Sequence, residues 1–89
     1  MHLGIYEFEG DPAVLLEAYD RLMSATADAN LFWHLCAVRP DGIVIYDTCP
    51  TREAFERFST SPEFHSALRD AGLPEPRVSS QVVHAARAR

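Results

Sequence analysis

The sequence predicts an α+β fold in which a four-stranded antiparallel sheet carries its helices on one face, and three observations support that expectation. Two segments rich in β-branched and aromatic residues, 31–38 and 43–48, flank a turn signal at Arg39-Pro40-Asp41-Gly42. Two further strand-like stretches, 3–9 and 78–84, stand outside them, and helical patterns fill the intervals 12–28 and 52–71. The resulting order, β-α-β-β-α-β, in one compact pair of layers is the ferredoxin-like sandwich. At 89 residues the chain is expected to be a single domain, 1–89.

In chain order, Leu3 and Ile5 alternate with Gly4, Tyr6 and Phe8, the period of two that a strand requires. Gly10-Asp11-Pro12 then starts a helix, with Asp11 able to accept from free backbone N–H groups and Pro12 losing nothing at the first helical position. Leu15, Leu16, Tyr19, Leu22 and Met23 form one apolar stripe along it to about Asp28. At the hairpin, Pro40, Asp41 and Gly42 match a type I turn closed by a glycine bulge, which sets Arg39 opposite Ile43 and Cys36 opposite Tyr46. Thr51 caps the next helix, Ser59-Thr60-Ser61-Pro62 interrupts it, and Ser61 with Pro62 restarts it until Gly72.

With that register, both faces of the sheet are apolar. Leu3, Ile5, Trp33, Leu35, Ala37, Ile43 and Ile45 fall on one face; Tyr6, Phe8, Phe32, Cys36, Val38, Val44 and Tyr46 fall on the other. Two helical segments cover one face only. A chain this short buries only roughly 60–65% of its unfolded surface, so the second face is expected to meet another copy in a homodimer.

The composition excludes several functions. Thirteen acids against eight bases, all Arg, give a formal charge of −5, which disfavours nucleic acid. No 18-residue uncharged apolar stretch and no leader pattern occur, so no membrane partner is expected. Cys36 and Cys49 lack CxxC spacing and read as free thiols of a reducing, cytoplasmic setting. His34 and Cys36 point the same way, but no third or fourth ligand stands at a metal-binding interval, so no metal is expected. His65 and His84 read as surface or rim residues.

Two candidate constellations remain. His34, Cys36 and Tyr46 share a face in this register, with Tyr6 and His2 alongside, and an imidazole beside a phenol and a thiol can move a proton at neutral pH. The alternative is that these are interface residues bonded across the dimer. Trp33, Asp47 and Cys49 share the opposite face, where an Asp beside Trp would be partly desolvated and suited to be a general base. There the alternative is a structural carboxylate paired with a cap or an Arg. If a pocket lies between sheet and helices, Trp33, Asp47 and Cys49 line it; if the ligand sits between the sheets of a dimer, His34, Tyr46 and Tyr6 do.

The run from Asp41 to Phe58, DGIVIYDTCPTREAFERF, continued by LRDAGLPEPRV at 68–78, resembles small proteins of the dimeric α/β barrel superfamily, relatives of the antibiotic-biosynthesis monooxygenase-like families. The resemblance implies a homodimer whose sheets face each other, with a ligand pocket between each sheet and its helices. It places Asp47, Ser61 and His34 at family-like positions. Cys49 stands where such families often carry Trp, and Phe58 where haem-degrading relatives place His, so the resemblance does not extend to haem. The expectation is a cofactor-independent small-molecule enzyme, monooxygenase-, cyclase- or isomerase-like, acting on an apolar or aromatic substrate. Asp47 and His34 would be catalytic, with Trp33, Tyr46, Cys49 and Tyr6 binding the substrate. The alternative is a non-catalytic ligand-binding or assembly homodimer of the same fold.

Overall fold

Among the described residues the elements follow in the order β1 (His2–Glu9), α1 (Pro12–Ala25), β2 (His34–Arg39), β3 (Gly42–Cys49), α2 (Arg52–Ser59), α3 (Pro62–Ala71) and β4 (Arg77–Val82). The computed structural model describes residues 1–25 and 33–87; the expected end of α1 near Asp28, the start of β2 at Leu31 and the placement of Phe32 lie outside them. The strands form one antiparallel sheet in the order β2-β3-β1-β4, with the helices on one face, which is the ferredoxin-like arrangement. No described helix is long and apolar enough to cross a membrane.

Helix boundaries follow from side-chain chemistry. The Asp11 carboxylate accepts from Ala13 N–H at 3.0 Å and opens α1. Thr51 accepts from Ala54 N–H at 3.1 Å and Ser61 from Phe64 N–H at 3.2 Å, so each of the two short helices has its own cap. Pro62, lacking an N–H, cannot continue α2, and Ser61 starts α3 in its place. Gly72, at φ 95°, ends α3 in the left-handed region, donating to the Leu68 and Arg69 carbonyls while Leu73 N–H also reaches Leu68. Arg21 on α1 donates to the Ala71 carbonyl at 2.9 Å, tying the two helices together.

The hairpin differs from the sequence expectation by one residue. Arg39 pairs with Gly42 rather than Ile43, leaving a two-residue loop, Pro40-Asp41, and no glycine bulge. Gly42 is not at positive φ. Its role is close approach: a Cβ there would lie 1.9 Å from the Phe8 carbonyl oxygen of the neighbouring strand. Because side chains alternate, this one-residue shift turns β3 over relative to β2. Ile43, Ile45 and Asp47 face the helices with Tyr6, Phe8 and Cys36, whereas Val44 and Tyr46 join Leu3, Ile5, Leu35 and Ala37 on the open face.

The core lies between the helices and β1 and β3. Tyr6, Phe8, Ile43 and Leu68 are almost wholly buried, joined by Leu15, Ala18, Leu22 and Phe55. Each large side chain so buried contributes on the order of 2 kcal/mol.

Candidate functional site

A cavity of about 310 Å³ opens between the sheet and the helices. β1 and β3 supply its floor through Tyr6, Ile45 and Asp47; α1 supplies Leu22 and Met23. The broken second helical segment supplies the roof, Phe58 from α2 and Phe64 and Ala67 from α3. Phe58, Phe64 and Tyr6 pack on one another, with ring centroids 4.6 Å apart for the two phenylalanines and 5.3 Å for Tyr6 and Phe64. Ser61 and Glu63 stand at the break between α2 and α3. The break puts two rings, Phe58 and Phe64, over the sheet where one continuous helix would present a single stripe.

At the β2 side of this cavity stands a hydrogen-bonded chain of three groups. The register sets His34 directly across from Asp47, and imidazole Nδ1 meets carboxylate Oδ1 in a hydrogen bond. The Tyr19 hydroxyl lies 2.5 Å from His34 Nε2, and the two rings are stacked with centroids 5.7 Å apart. An ionised carboxylate only accepts, so His34 carries its proton on Nδ1, and with the imidazole neutral Tyr19 donates to Nε2. Both nitrogens of His34 are thus engaged. The second oxygen of Asp47 has no hydrogen-bond partner among the described residues, and Asp47 lines the cavity.

Asp47 is 5% exposed. Burial pushes its carboxyl above the usual carboxylate range, against the hydrogen bond and charge of His34, which pull it down. Burial also pushes up the Tyr19 phenol and the Cys36 and Cys49 thiols, so neither cysteine is set up as a thiolate nucleophile. Among the described residues there is no cluster of three or more His, Cys, Asp or Glu side chains placed to hold a metal ion.

The structure therefore redistributes the two constellations expected from sequence. His34, Asp47 and Tyr6 come together in one cavity on the helix-covered face. Trp33 does not join them: it is 38% exposed, and its backbone is bonded in both directions to Thr48, one position out of phase with His34. Tyr46 lies on the open face opposite Ile5 and Leu35. Cys49 is half-buried at the end of β3, paired with His2, and is not part of the cavity wall. The two-residue hairpin is the physical reason for Trp33 and Tyr46; Cys49 keeps the face of Asp47, two positions on, and packs against the core beyond the cavity. Tyr19, Phe58 and Phe64 were absent from both constellations; in sequence each sits at helical spacing among apolar residues, a pattern that also marks ordinary core.

No family model matches the chain, and no curated protein matches it either. Solved structures share its fold. One is a protein of Chloroflexus aurantiacus assigned as an antibiotic biosynthesis monooxygenase: 13% identity, 98% of this chain and 96% of that one, TM-score 0.68. A Deinococcus radiodurans protein with the same assignment aligns at 12% identity over 99% and 97%, TM-score 0.66. SnoaB, a cofactor-independent oxygenase from Streptomyces nogalater, aligns at 17% identity over 96% and 92%, TM-score 0.59.

Proposed function

From the fold of the antibiotic-biosynthesis-monooxygenase-like structures, and from a cavity with one buried carboxylate in its wall, we propose a cofactor-independent enzyme that removes a proton from a neutral, largely apolar or aromatic small molecule. The observation that carries this reading is the unengaged oxygen of Asp47 in an aromatic-roofed cavity, its partner oxygen fixed by His34. A carboxylate whose proton affinity is raised by burial is a stronger base than one in water, and a held orientation removes the need to find it. His34 positions Asp47, and Tyr19 positions His34. The carbanion or enolate formed is the species from which oxygenation, ring closure or isomerisation proceeds, so the reading covers all three reaction types. SnoaB being a cofactor-independent oxygenase supports the oxygenating branch. The same reading takes the working unit to be a cytoplasmic homodimer closed through the open sheet face.

The test is hydrogen–deuterium exchange at acidic C–H positions of a panel of bicyclic ketones and phenols, followed in deuterated buffer with wild type, Asp47→Asn and His34→Ala. Wild type is expected to accelerate exchange for at least one member, Asp47→Asn to lose about 10²- to 10⁴-fold and His34→Ala less. Equal rates in all three, or binding without exchange in any, would leave a binding protein instead.

A further inference from the structure

Exposure marks the mouth of the cavity. Of the described residues that line it, only Phe58 and Glu63 are exposed; the others are buried or half-buried. Glu63 stands at the second position of α3, directly after Pro62, so the break between the two short helices carries a carboxylate to the opening. This carboxylate has no hydrogen bond or ion pair among the described residues. An acid in the first turn is favoured by the helix dipole, and Glu53 holds the equivalent second position of α2. The two acids differ in their surroundings, because Glu63 lines the cavity and Glu53 does not.

The fixed charges of the cavity are of one sign. Asp47 on the floor and Glu63 at the mouth are acids, no described lining residue is Arg, and the chain contains no Lys. His34 offers no counter-charge to a ligand, since its two nitrogens are engaged by Asp47 and Tyr19. The Asp47 carboxylate has a donor in His34, whereas Glu63 has none. An anion entering the cavity would pass an unpaired carboxylate and then give up water to a wall of Leu22, Ile45 and Phe64, with no cation to receive it. An uncharged molecule meets neither barrier.

We propose that Glu63 is the specificity-determining residue of this cavity, a charge filter at its mouth that turns away carboxylate-, sulfonate- and phosphate-bearing molecules and admits those without an anionic group. The filter rests on the cavity being the substrate site, as read above, and adds to that reading the residue that selects what enters. Asp47 is not the filter, because a buried group on the floor meets a ligand only after it has passed the opening. Glu63 acts earlier, on molecules still partly in solvent, where a like charge close to the path weakens binding without blocking the space.

Two fluorescent probes that share one ring skeleton test this: N-phenyl-1-naphthylamine, which is uncharged, and 8-anilino-1-naphthalenesulfonate, which adds a sulfonate. Titrations are run with wild type, Glu63→Gln, Glu63→Lys and Glu53→Gln, the last making the same change in net charge at the equivalent helix position outside the cavity. Wild type is expected to bind the amine more tightly than the sulfonate. Glu63→Gln should strengthen sulfonate binding about 3- to 10-fold and Glu63→Lys further, with amine binding unchanged, while Glu53→Gln should alter neither. Backbone amide NMR locates the amine, with shifts expected at Phe64 and Ala67 in the cavity wall. Sulfonate binding that Glu63→Gln leaves unchanged, or that Glu53→Gln strengthens equally, would overturn the filter while an amine seated at Phe64 and Ala67 kept the cavity as a binding site. No binding of the amine, or shifts confined to Leu35 and Tyr46 on the open face, would overturn the filter and the substrate cavity together.

Discussion

Burial of the Asp47 carboxyl works against folding at neutral pH, and the sign of the effect follows from the direction of its shift. A carboxyl whose proton affinity is raised in the folded state adds stability below the ordinary carboxylate range, and that addition is lost as pH rises through the raised value. Asp47→Asn, which keeps an oxygen to accept from His34 Nδ1, should therefore raise the melting temperature at pH 7 and change it less at pH 4. His34→Ala should do the reverse at pH 7, leaving the carboxylate without its donor. Thermal scans across pH decide this, and an Asn variant that melts below wild type at pH 7 would show the carboxylate to be net stabilising. The same groups illustrate what is legible at the scale of single residues. Asp47, His34 and Tyr6 stand out in the sequence because polar side chains interrupt apolar strands. Tyr19 does not, because a tyrosine within a helical stripe of Leu15, Leu22 and Met23 carries the same signal whether its hydroxyl is idle or bonded to a histidine 15 residues away.

Elements were more legible than the pairing between them. The break at Ser59–Pro62 could be read directly, since a hydroxyl followed by proline both stops one helix and caps the next, and the structure has it there. The hairpin was readable as a hairpin but not in register, because glycine after Pro-Asp serves two purposes that look alike in sequence. One is a left-handed turn residue; the other, which this chain uses, is a strand residue pressed against a neighbouring backbone. A Gly42→Ala variant tests that distinction: with 1.9 Å to the Phe8 carbonyl it should cost about 3 kcal/mol or more, at the upper end for single substitutions. Urea unfolding measures the change, and a loss under about 0.5 kcal/mol, the range of ordinary surface substitutions, would remove close approach as its role. Ser61→Ala, losing only a helix cap, should cost about 1 kcal/mol. The one-residue ambiguity explains why His34 and Asp47, directly opposite in the sheet, looked from sequence as though they lay on different faces.

The open face of the sheet bears on the whole molecule. Leu35, Tyr46 and Ile5 form a row across three adjacent strands, with Leu35 59% exposed at one end, and no described helix covers it. The expected outcome in sedimentation or light scattering at micromolar concentration is a particle of twice the mass of one chain, reduced to one chain by Leu35→Glu. A wild-type monomer would leave the row uncovered and refute the homodimer. A different consequence follows from the position of β1, which lies between β3 and β4 and pairs along nearly its whole length with both. His2 is matched with Val82, so the fourth strand joins the sheet only when segments about 80 residues apart have met. Local contacts assemble only the β2–β3 hairpin, and both pairings of β1 are long-range. The folding rate of this small domain should then fall toward the slow side of mixed α/β proteins, where loop-closure entropy rather than helix formation sets the barrier. A chain arrested on the ribosome before β4 emerges would expose one edge of β1, making that interval the time at which the protein is most open to misassociation.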